Sequence, residues 1–211
     1  MDTQIIARIG TLHWSPRSPF VRKVMVTAYE LGLVDRLTLR RTVVRMTDPN
    51  RELLADNPIS KIPTLVLEDG TVLCDSIVIC EYLNALVCGP LFPDGAARWT
   101  TLSRQALANG LLDILILWRN ERDKPAEKQT TSWTDGFSLK IGATLDHFEH
   151  LSGEFRTAPF DIAHITLGCC LSYLDFRFAD LNWREAHPNL AAWHATFCAR
   201  PSARATEVVD A

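Results

Sequence analysis

Residues 57–66 read Asn-Pro-Ile-Ser-Lys-Ile-Pro-Thr-Leu-Val, in which a proline is directly followed by an apolar run containing β-branched residues. Proline is tolerated at the start of a strand because no ladder hydrogen bond is lost there. An X–Pro bond also adopts the cis form far more readily than other peptide bonds do. We therefore predict a strand that begins after Pro63. With a cis bond at this proline, the backbone of Ile62 could pair in antiparallel fashion with an extended peptide ligand.

A hairpin and a helix are predicted directly after this stretch. Two short apolar runs, 64–67 and 71–73, flank Glu-Asp-Gly, which is a hairpin signal. Asp75 and Ser76 then open a helical pattern that ends near Leu86, and both residue types are favoured at an N-cap. The same helix start could hold a ligand carboxylate through the Ser76 hydroxyl and free amides, while Asp75 pairs with an ammonium group.

Two serines stand upstream, where a predicted strand at 9–14 turns into a helix that begins after Pro19. A hydroxyl at Ser15 or Ser18 would lie near unpaired amides and the positive end of the helix dipole. That setting stabilises a thiolate. The simpler interpretation is that Ser18 only caps the helix, with Pro19 at its first position.

The predicted elements divide the chain into two domains. Up to residue 87 their order is β-α-β-α-β-β-α, an α/β domain in which helices cover a mixed sheet. The second strand of this order is predicted at 37–44, and a short helix or turn at 49–56. Residues 88–95 contain two prolines and two glycines and predict a linker. From 96 to 211 the strand patterns fade, which predicts an all-helical domain. Its predicted helices span 96–122, 130–151, 162–178 and 188–199.

The composition argues against several classes of function. The formal net charge of -3 gives no electrostatic footprint for nucleic acid. No apolar run approaches the roughly 18 to 20 residues that span a bilayer, and no secretory signal pattern is seen, so we expect a cytoplasmic protein. The six cysteines form no C-x-x-C pair and no zinc-binding pattern with histidine. We expect reduced thiols and no bound metal.

Three of these motifs occur together in the order and spacing of the cytosolic glutathione transferases, which the sequence resembles. They are Ser-Pro-Phe-Val-Arg-Lys at 18–23, the Asn-Pro…Lys-Ile-Pro stretch at 57–63, and the Asp-Ser pair at 75–76. The similarity extends to Tyr-Leu-Asp-Phe-Arg at 173–177 and Arg-Pro-Ser at 200–202, and so covers nearly the whole chain. It looks closest to bacterial serine-type members and to the plant tau class.

The resemblance implies a thioredoxin-like first domain, an all-helical second domain and, usually, a homodimer. It implies that Ser18 hydrogen-bonds the sulfur of glutathione and favours the thiolate. Lowering the thiol pKa by roughly two units corresponds to about 3 kcal/mol. Ser15 is a rival for this role, because some bacterial members place the hydrogen-bonding residue earlier. Thiol-reducing relatives carry cysteine at position 18, so serine favours conjugation or peroxide reduction over mixed-disulfide chemistry.

The other binding residues are likewise implied by the resemblance. Ile62 would hold the cysteinyl backbone of glutathione from the turn at Pro63. Asp75 and Ser76 would bind the γ-glutamyl end, and Lys61 would approach a carboxylate.

The pocket for a small hydrophobic electrophile is harder to locate. The long helix after the linker should face the cleft, which makes candidates of Trp14, Leu111, Leu115 and Trp118. Core packing is the simpler interpretation of any one of them.

One departure from the family pattern concerns a buried capping motif, commonly Ser/Thr-x-x-Asp. Asp161 is present, but Ala158 occupies the position three residues earlier. Either Thr157 substitutes with a shifted start, or the following helix begins less firmly.

Two further hypotheses stand beside a glutathione transferase or peroxidase. One is a non-catalytic glutathione or peptide binder. The other is a protein-interaction module that has kept the fold without the ligand, against which the Asp75-Ser76 and Lys61-Ile62 pairs argue.

Overall fold

The computed structural model describes residues 8–210, which form two compact units. One contains residues 8–90 together with 205–210, and the other is Leu91–Arg204. The boundary after Pro90 falls inside the predicted linker. The placement of 205–210 differs from the prediction, which gave everything beyond residue 96 to the helical domain. Asp210 forms an ion pair with Arg17 at 3.0 Å, and Arg22 Nε donates to Thr206 Oγ1 at 3.5 Å.

The first unit is a four-stranded mixed sheet with two α-helices, and the sheet and both helices were predicted. The remaining α of the predicted order, a short helix or turn at 49–56, is a 3₁₀ turn at Leu53–Ala55. Its elements are β1 (Gly10–Trp14), α1 (Pro19–Glu30), β2 (Leu37–Arg41), β3 (Thr64–Leu67), β4 (Val72–Leu73) and α2 (Ser76–Leu86), with 3₁₀ turns at Val34–Arg36 and Leu53–Ala55. The strand order is β2-β1-β3-β4, with β1 and β2 parallel and the other pairs antiparallel. The second strand was predicted to reach residue 44. It ends at Arg41 because its ladder partner, Trp14, is the last residue of β1.

The register of the sheet places three chain segments at one edge. His13, near the end of β1, lies opposite Thr64 at the start of β3, and Leu65 lies opposite Leu73 at the end of β4. The turn between β1 and α1, the residues before β3 and the start of α2 therefore emerge at the same end of the sheet. Since these segments carry the predicted glutathione-binding residues, the topology brings together residues far apart in the sequence.

The second unit consists of helices, as predicted. They are α3 (Gly95–Arg122), α4 (Thr131–Thr157), α5 (Ile162–Arg177), α6 (Trp183–Ala186) and α7 (Pro188–Cys198), and α8 (Pro201–Ala205) follows them. The helix α5 is buried along nearly its whole length, which agrees with its apolar sequence. The sequence did not predict α6, whose four residues are too few to show a helical period.

The helix α5 begins with a complete N-cap at Asp161. Its Oδ1 accepts from the backbone amides of Ala163 at 3.0 Å and His164 at 3.2 Å, and it lies 2.6 Å from His164 Nδ1. Thr101 on α3 donates to Asp161 Oδ2 at 2.7 Å. Burial alone would raise the pKa of Asp161, but the hydrogen bonds from His164 and Thr101 outweigh it and lower the pKa below 3.8.

These contacts correct both expectations about the departure at Ala158. Thr157 does not take over the cap, because it ends α4 and its hydroxyl donates to carbonyls of its own helix. The start of α5 is also not loose, because Thr101 and His164 complete the hydrogen bonding of Asp161.

All six cysteines are free thiols. Burial raises the pKa of Cys80 to about 11, against the opposing effects of the Lys23 charge and the Thr27 hydroxyl. Burial also raises the pKa of Cys170 well above its usual value. Within residues 8–210 no helix is long and apolar enough to cross a membrane, and no group of three His, Cys, Asp or Glu side chains is placed to hold a metal ion.

We expect a thiol reagent at about pH 8 to label the exposed Cys74 and Cys88 quickly. Cys80, Cys169 and Cys170 should react only after unfolding, because they are buried. Mass spectrometry of the native and urea-unfolded protein measures both sets. Rapid labelling of Cys80 in the native protein would contradict its buried position, where the Thr27 hydroxyl of α1 donates to its sulfur at 3.3 Å.

Candidate functional site

The turn from β1 into α1 presents the Ser18 hydroxyl at a helix start. Ser18 is the N-cap of α1, and its Oγ accepts from the backbone amide of Val21 at 3.2 Å, with Pro19 in the first turn. The capping interpretation therefore holds. It does not compete with a second role, because a hydroxyl that accepts from an amide keeps its own proton to donate. A thiolate placed here would also lie near the positive end of the α1 dipole.

Ser15 lies in the same turn. Its Oγ accepts from the Arg17 amide over a long 3.4 Å, and its carbonyl accepts from the Ser18 amide at 3.3 Å. Both serines are partly exposed, and each hydroxyl has a proton to donate. The choice between Ser15 and Ser18 stays open.

The Ile62–Pro63 peptide bond is cis, and the turn before it is held by Asn57. Asn57 is 1% exposed, and its Nδ2 donates to the Lys61 carbonyl at 3.1 Å and to Thr64 Oγ1 at 2.9 Å. The Thr64 hydroxyl donates to the same carbonyl at 2.8 Å. These bonds fix the backbone on both sides of Ile62.

The backbone of Ile62 itself is unpaired. Neither its N–H nor its C=O is hydrogen-bonded by any residue in the part of the chain that the structure describes. Buried peptide groups are nearly always paired, and Ile62 is only 8% exposed. The unpaired groups can therefore receive an extended peptide backbone.

The start of α2 carries an unsatisfied hydroxyl. Asp75 is the N-cap, and its Oδ1 accepts from the Ile77 amide at 2.9 Å while the side chain stays exposed. Ser76 is 1% exposed, and its buried Oγ has no hydrogen-bond partner within residues 8–210. An orphaned buried hydroxyl costs free energy, so a ligand oxygen at this helix start would satisfy both it and the free amides of the first turn.

The sequence did not indicate the supporting roles of His13 and Asn57. His13 is 1% exposed, and its ring nitrogens lie 2.9 Å from Thr42 Oγ1 and 3.0 Å from Asp56 Oδ2. It thereby ties β1 to the loop that leads to Asn57. The sequence does show His13 as a polar residue inside an apolar strand. It does not show its partners, because they lie 29 and 43 residues away in the sequence.

The positions of the other predicted site residues do not by themselves show a role in ligand binding. Lys61 is exposed at the turn before β3, and Trp14 is half-buried with the Arg41 guanidinium 5.9 Å from its ring centroid. The pocket candidates on α3 are buried, with Leu111 1%, Leu115 0% and Trp118 5% exposed. The Trp118 ring packs on Phe178 and Phe137. Their membership of an electrophile pocket stays a prediction.

Both units of the chain contain a segment that matches a known protein-family model. Residues 17–86 match the family model described as glutathione S-transferase, N-terminal domain, and residues 132–196 match the one described as glutathione S-transferase, C-terminal domain. The chain is 28% identical over 194 residues to the uncharacterized GST-like protein YibF of Escherichia coli, covering 90% of this chain and 94% of that protein. It is 31% identical over 209 residues to glutathione S-transferase stcT of Emericella nidulans, covering 91% and 88%.

A solved structure is more similar still. A glutathione transferase family member from Pseudomonas fluorescens Pf-5, crystallised with bound glutathione, is 44% identical to this chain with a TM-score of 0.91. The alignment covers 94% of this chain and 98% of that one. A structure from the same source with bound S-(propanoic acid)-glutathione gives 43% identity and a TM-score of 0.87, with the same coverage.

Proposed function

Because this chain belongs to the glutathione S-transferase family, we propose that it binds glutathione as the thiolate on its first unit. It would conjugate the sulfur to a small hydrophobic electrophile or use it to reduce organic hydroperoxides. Family membership and the glutathione-bound relatives support a glutathione-dependent function of this type. A homodimer is part of the same proposal.

Each part of glutathione has a place in this scheme. The γ-glutamyl carboxylate accepts from Ser76 Oγ and the first amides of α2, while its ammonium group faces the exposed carboxylate of Asp75. The cysteinyl backbone pairs with the open N–H and C=O of Ile62, and Lys61 approaches a carboxylate. The sulfur accepts from the hydroxyl at the start of α1, for which Ser18 is our first choice and Ser15 the second.

The observation that carries the proposal is the buried Ser76 Oγ without a hydrogen-bond partner. Because it stands at a helix N-terminus at the same sheet edge as the unpaired Ile62 backbone, both gaps can be filled by one extended ligand with an α-amino acid head. A purely structural serine at this position would be expected to donate to a protein acceptor.

We expect Ser76→Ala to weaken glutathione binding about tenfold in isothermal titration calorimetry, since a hydrogen bond to a charged group contributes about 1.5 kcal/mol or more. Thermal stability without ligand should stay level or rise, because the variant removes an orphaned buried hydroxyl. Ser152→Ala, which also removes a buried hydroxyl but from α4, is the control and should bind normally. Unchanged affinity in Ser76→Ala would contradict the assignment.

A measurement of turnover distinguishes a glutathione-dependent enzyme from a non-catalytic glutathione binder. We would assay the wild-type protein with a generic aryl halide and an organic hydroperoxide at saturating glutathione. Saturable binding without turnover across a broad electrophile panel would favour the non-catalytic binder. Absence of measurable binding would favour the interaction module.

A further inference from the structure

Hydrogen bonds between side chains join β1 to the turn before β3, and the buried His13 makes the first of them. The Nε2 atom of His13 lies 3.0 Å from Asp56 Oδ2. An ionised carboxylate only accepts hydrogen bonds, so Nε2 carries a proton and donates it to Asp56. The other ring nitrogen, Nδ1, lies 2.9 Å from Thr42 Oγ1. His13 therefore fixes the side chain of Asp56 from a central strand of the sheet.

These contacts close a ring around the segment that contains Ile62. Asn57 follows Asp56 directly, and its Nδ2 donates to Thr64 Oγ1 at 2.9 Å. Thr64 lies opposite His13 in the antiparallel register of β1 and β3. The ring thus runs from His13 through Asp56 and Asn57 to Thr64, and back to His13 across the sheet. Ile62 lies within the part of this ring that joins Asn57 to Thr64.

The segment held by this ring has little regular structure of its own. Between β2 and β3 the chain runs from residue 42 to residue 63 with only the 3₁₀ turn at Leu53–Ala55. Segments of this kind open at a low free-energy cost. A hydrogen bond from a buried ring to a charged carboxylate contributes more than a bond between neutral groups. The bond from His13 to Asp56 therefore contributes substantially to keeping the segment in one position.

We propose that His13 is a positioning residue for glutathione. By donating to Asp56, it holds the turn before Pro63 so that the open N–H and C=O of Ile62 face the cysteinyl backbone of the ligand. His13 acts through Asp56 and makes no contact with glutathione itself. This assignment rests on the proposed function, because it takes Ile62 to be the residue that pairs with the ligand.

Two amide variants distinguish the Nε2 donor from the rest of the imidazole ring. The amide nitrogen of glutamine reaches about as far as Nε2, and that of asparagine about as far as Nδ1. His13→Gln therefore keeps a donor for Asp56, while His13→Asn removes it. Isothermal titration calorimetry measures the dissociation constant for glutathione in each variant.

We expect His13→Asn to raise the dissociation constant about tenfold, and His13→Gln to stay within about twofold of the wild-type protein. Losing a hydrogen bond to a charged group lowers the population of the ordered turn by about the first factor. The apparent affinity falls with the population of the state that can bind. Because His13 acts through Asp56, adding Asp56→Ala to His13→Asn should weaken binding no further.

A second buried histidine supplies the matched control. His187 is 5% exposed, and its Nε2 also lies 3.0 Å from a carboxylate, Asp146 Oδ1, but both residues belong to the second unit. His187→Asn loses an equivalent bond and should leave the affinity for glutathione unchanged.

Hydrogen exchange distinguishes positioning of the turn from general stability. The backbone amides of Asn57 and Ser60 donate to carbonyls within the same segment, at 2.7 Å and 2.9 Å. In His13→Asn these amides should exchange faster, while the amides of α2 should keep their wild-type rates. A uniform increase across the first unit would mean that His13 only stabilises the fold, and would overturn the proposal.

The binding measurements distinguish failure of this proposal from failure of the proposed function. Unchanged affinity in His13→Asn, equal losses in both His13 variants, or an equal loss in His187→Asn would overturn the role of His13 while leaving glutathione binding intact. If His13→Asn does not fold, Asp56→Ala tests the same link from its partly exposed end, and unchanged affinity there overturns the proposal. Failure of the wild-type protein to bind glutathione would overturn the proposed function, and this assignment with it.

Discussion

Ser18→Ala is expected to lower kcat/KM for glutathione conjugation by about 10- to 150-fold. The hydroxyl of Ser18 would donate to the thiolate, and a hydrogen bond to a charged group contributes about 1.5–3 kcal/mol. Each 1.36 kcal/mol of activation free energy corresponds to a tenfold change in rate, so losing this hydrogen bond gives the stated decrease in kcat/KM. Steady-state kinetics with an aryl halide measure it.

This experiment must distinguish the loss of the thiolate hydrogen bond from the loss of the N-cap of α1. The Ser18 Oγ accepts from the Val21 amide, so the alanine variant also loses an N-cap, at a cost of about 1 kcal/mol in stability. Circular dichroism should show that the variant is fully folded at the assay temperature. Ser18→Thr keeps both the cap acceptor and the hydroxyl and should retain most of the activity.

Comparing Ser15→Ala with Ser18→Ala shows which of the two serines stabilises the thiolate. Among the described residues, the Ser15 hydroxyl has only the long 3.4 Å contact with the Arg17 amide, so Ser15→Ala removes a hydroxyl with little structural effect. If Ser15→Ala shows the large loss and Ser18→Ala keeps the full rate, the roles are reversed. A raised apparent pKa of bound glutathione in the inactive variant, measured by thiolate absorbance, would show that the thiolate itself is affected.

Asp161→Ala is expected to reduce the free energy of unfolding by about 3–4 kcal/mol, through the lost cap and the orphaned partners. The variant leaves two backbone amides of α5 without their acceptor. It also removes the partner of Thr101, which is 6% exposed, and of His164, which is 4% exposed. Urea unfolding followed by circular dichroism measures the loss.

The control for this prediction is another aspartate at a helix start. Asp94 is the N-cap of α3, but its side chain makes no capping hydrogen bond, so Asp94→Ala should change stability little. Thr101→Val removes only one hydrogen bond to Asp161 and should cost about 1–2 kcal/mol, which keeps the test informative if Asp161→Ala does not fold. Equal stability of the Asp161 and Asp94 variants would contradict the capping role.

The contribution of Asp161 should also depend on pH. Its pKa is lowered in the folded protein, so the stabilisation is complete above the ordinary value of 3.8. It is lost as pH falls from that value through the lowered pKa. The difference between the wild-type protein and Asp161→Ala should therefore stay constant at neutral pH and shrink in acid.

Several features were predictable from short stretches of sequence because their causes are local. The strand after Pro63, the cap at Ser18 before Pro19 and the start of α2 at Asp75 each depend on residues within about one helical turn. The predicted helix α4 stopped six residues short, at 151 instead of Thr157, because Ser152 and Gly153 are weak helix formers. The buried Phe155 nevertheless continues the buried face of the helix.

The sequence by itself determined most of the helices and strands, where they begin and which motif each carries, because periodicity, caps and turn residues act between near neighbours. Only the tertiary structure decided which of those residues meet. The strand register brings the Ser18 turn, Ile62 and Ser76 to one sheet edge, and it leaves the Ser76 hydroxyl buried without a partner. The pairing of Arg17 with Asp210 joins residues that no local pattern connects. Such contacts depend on how the whole chain packs, which no short stretch of sequence specifies.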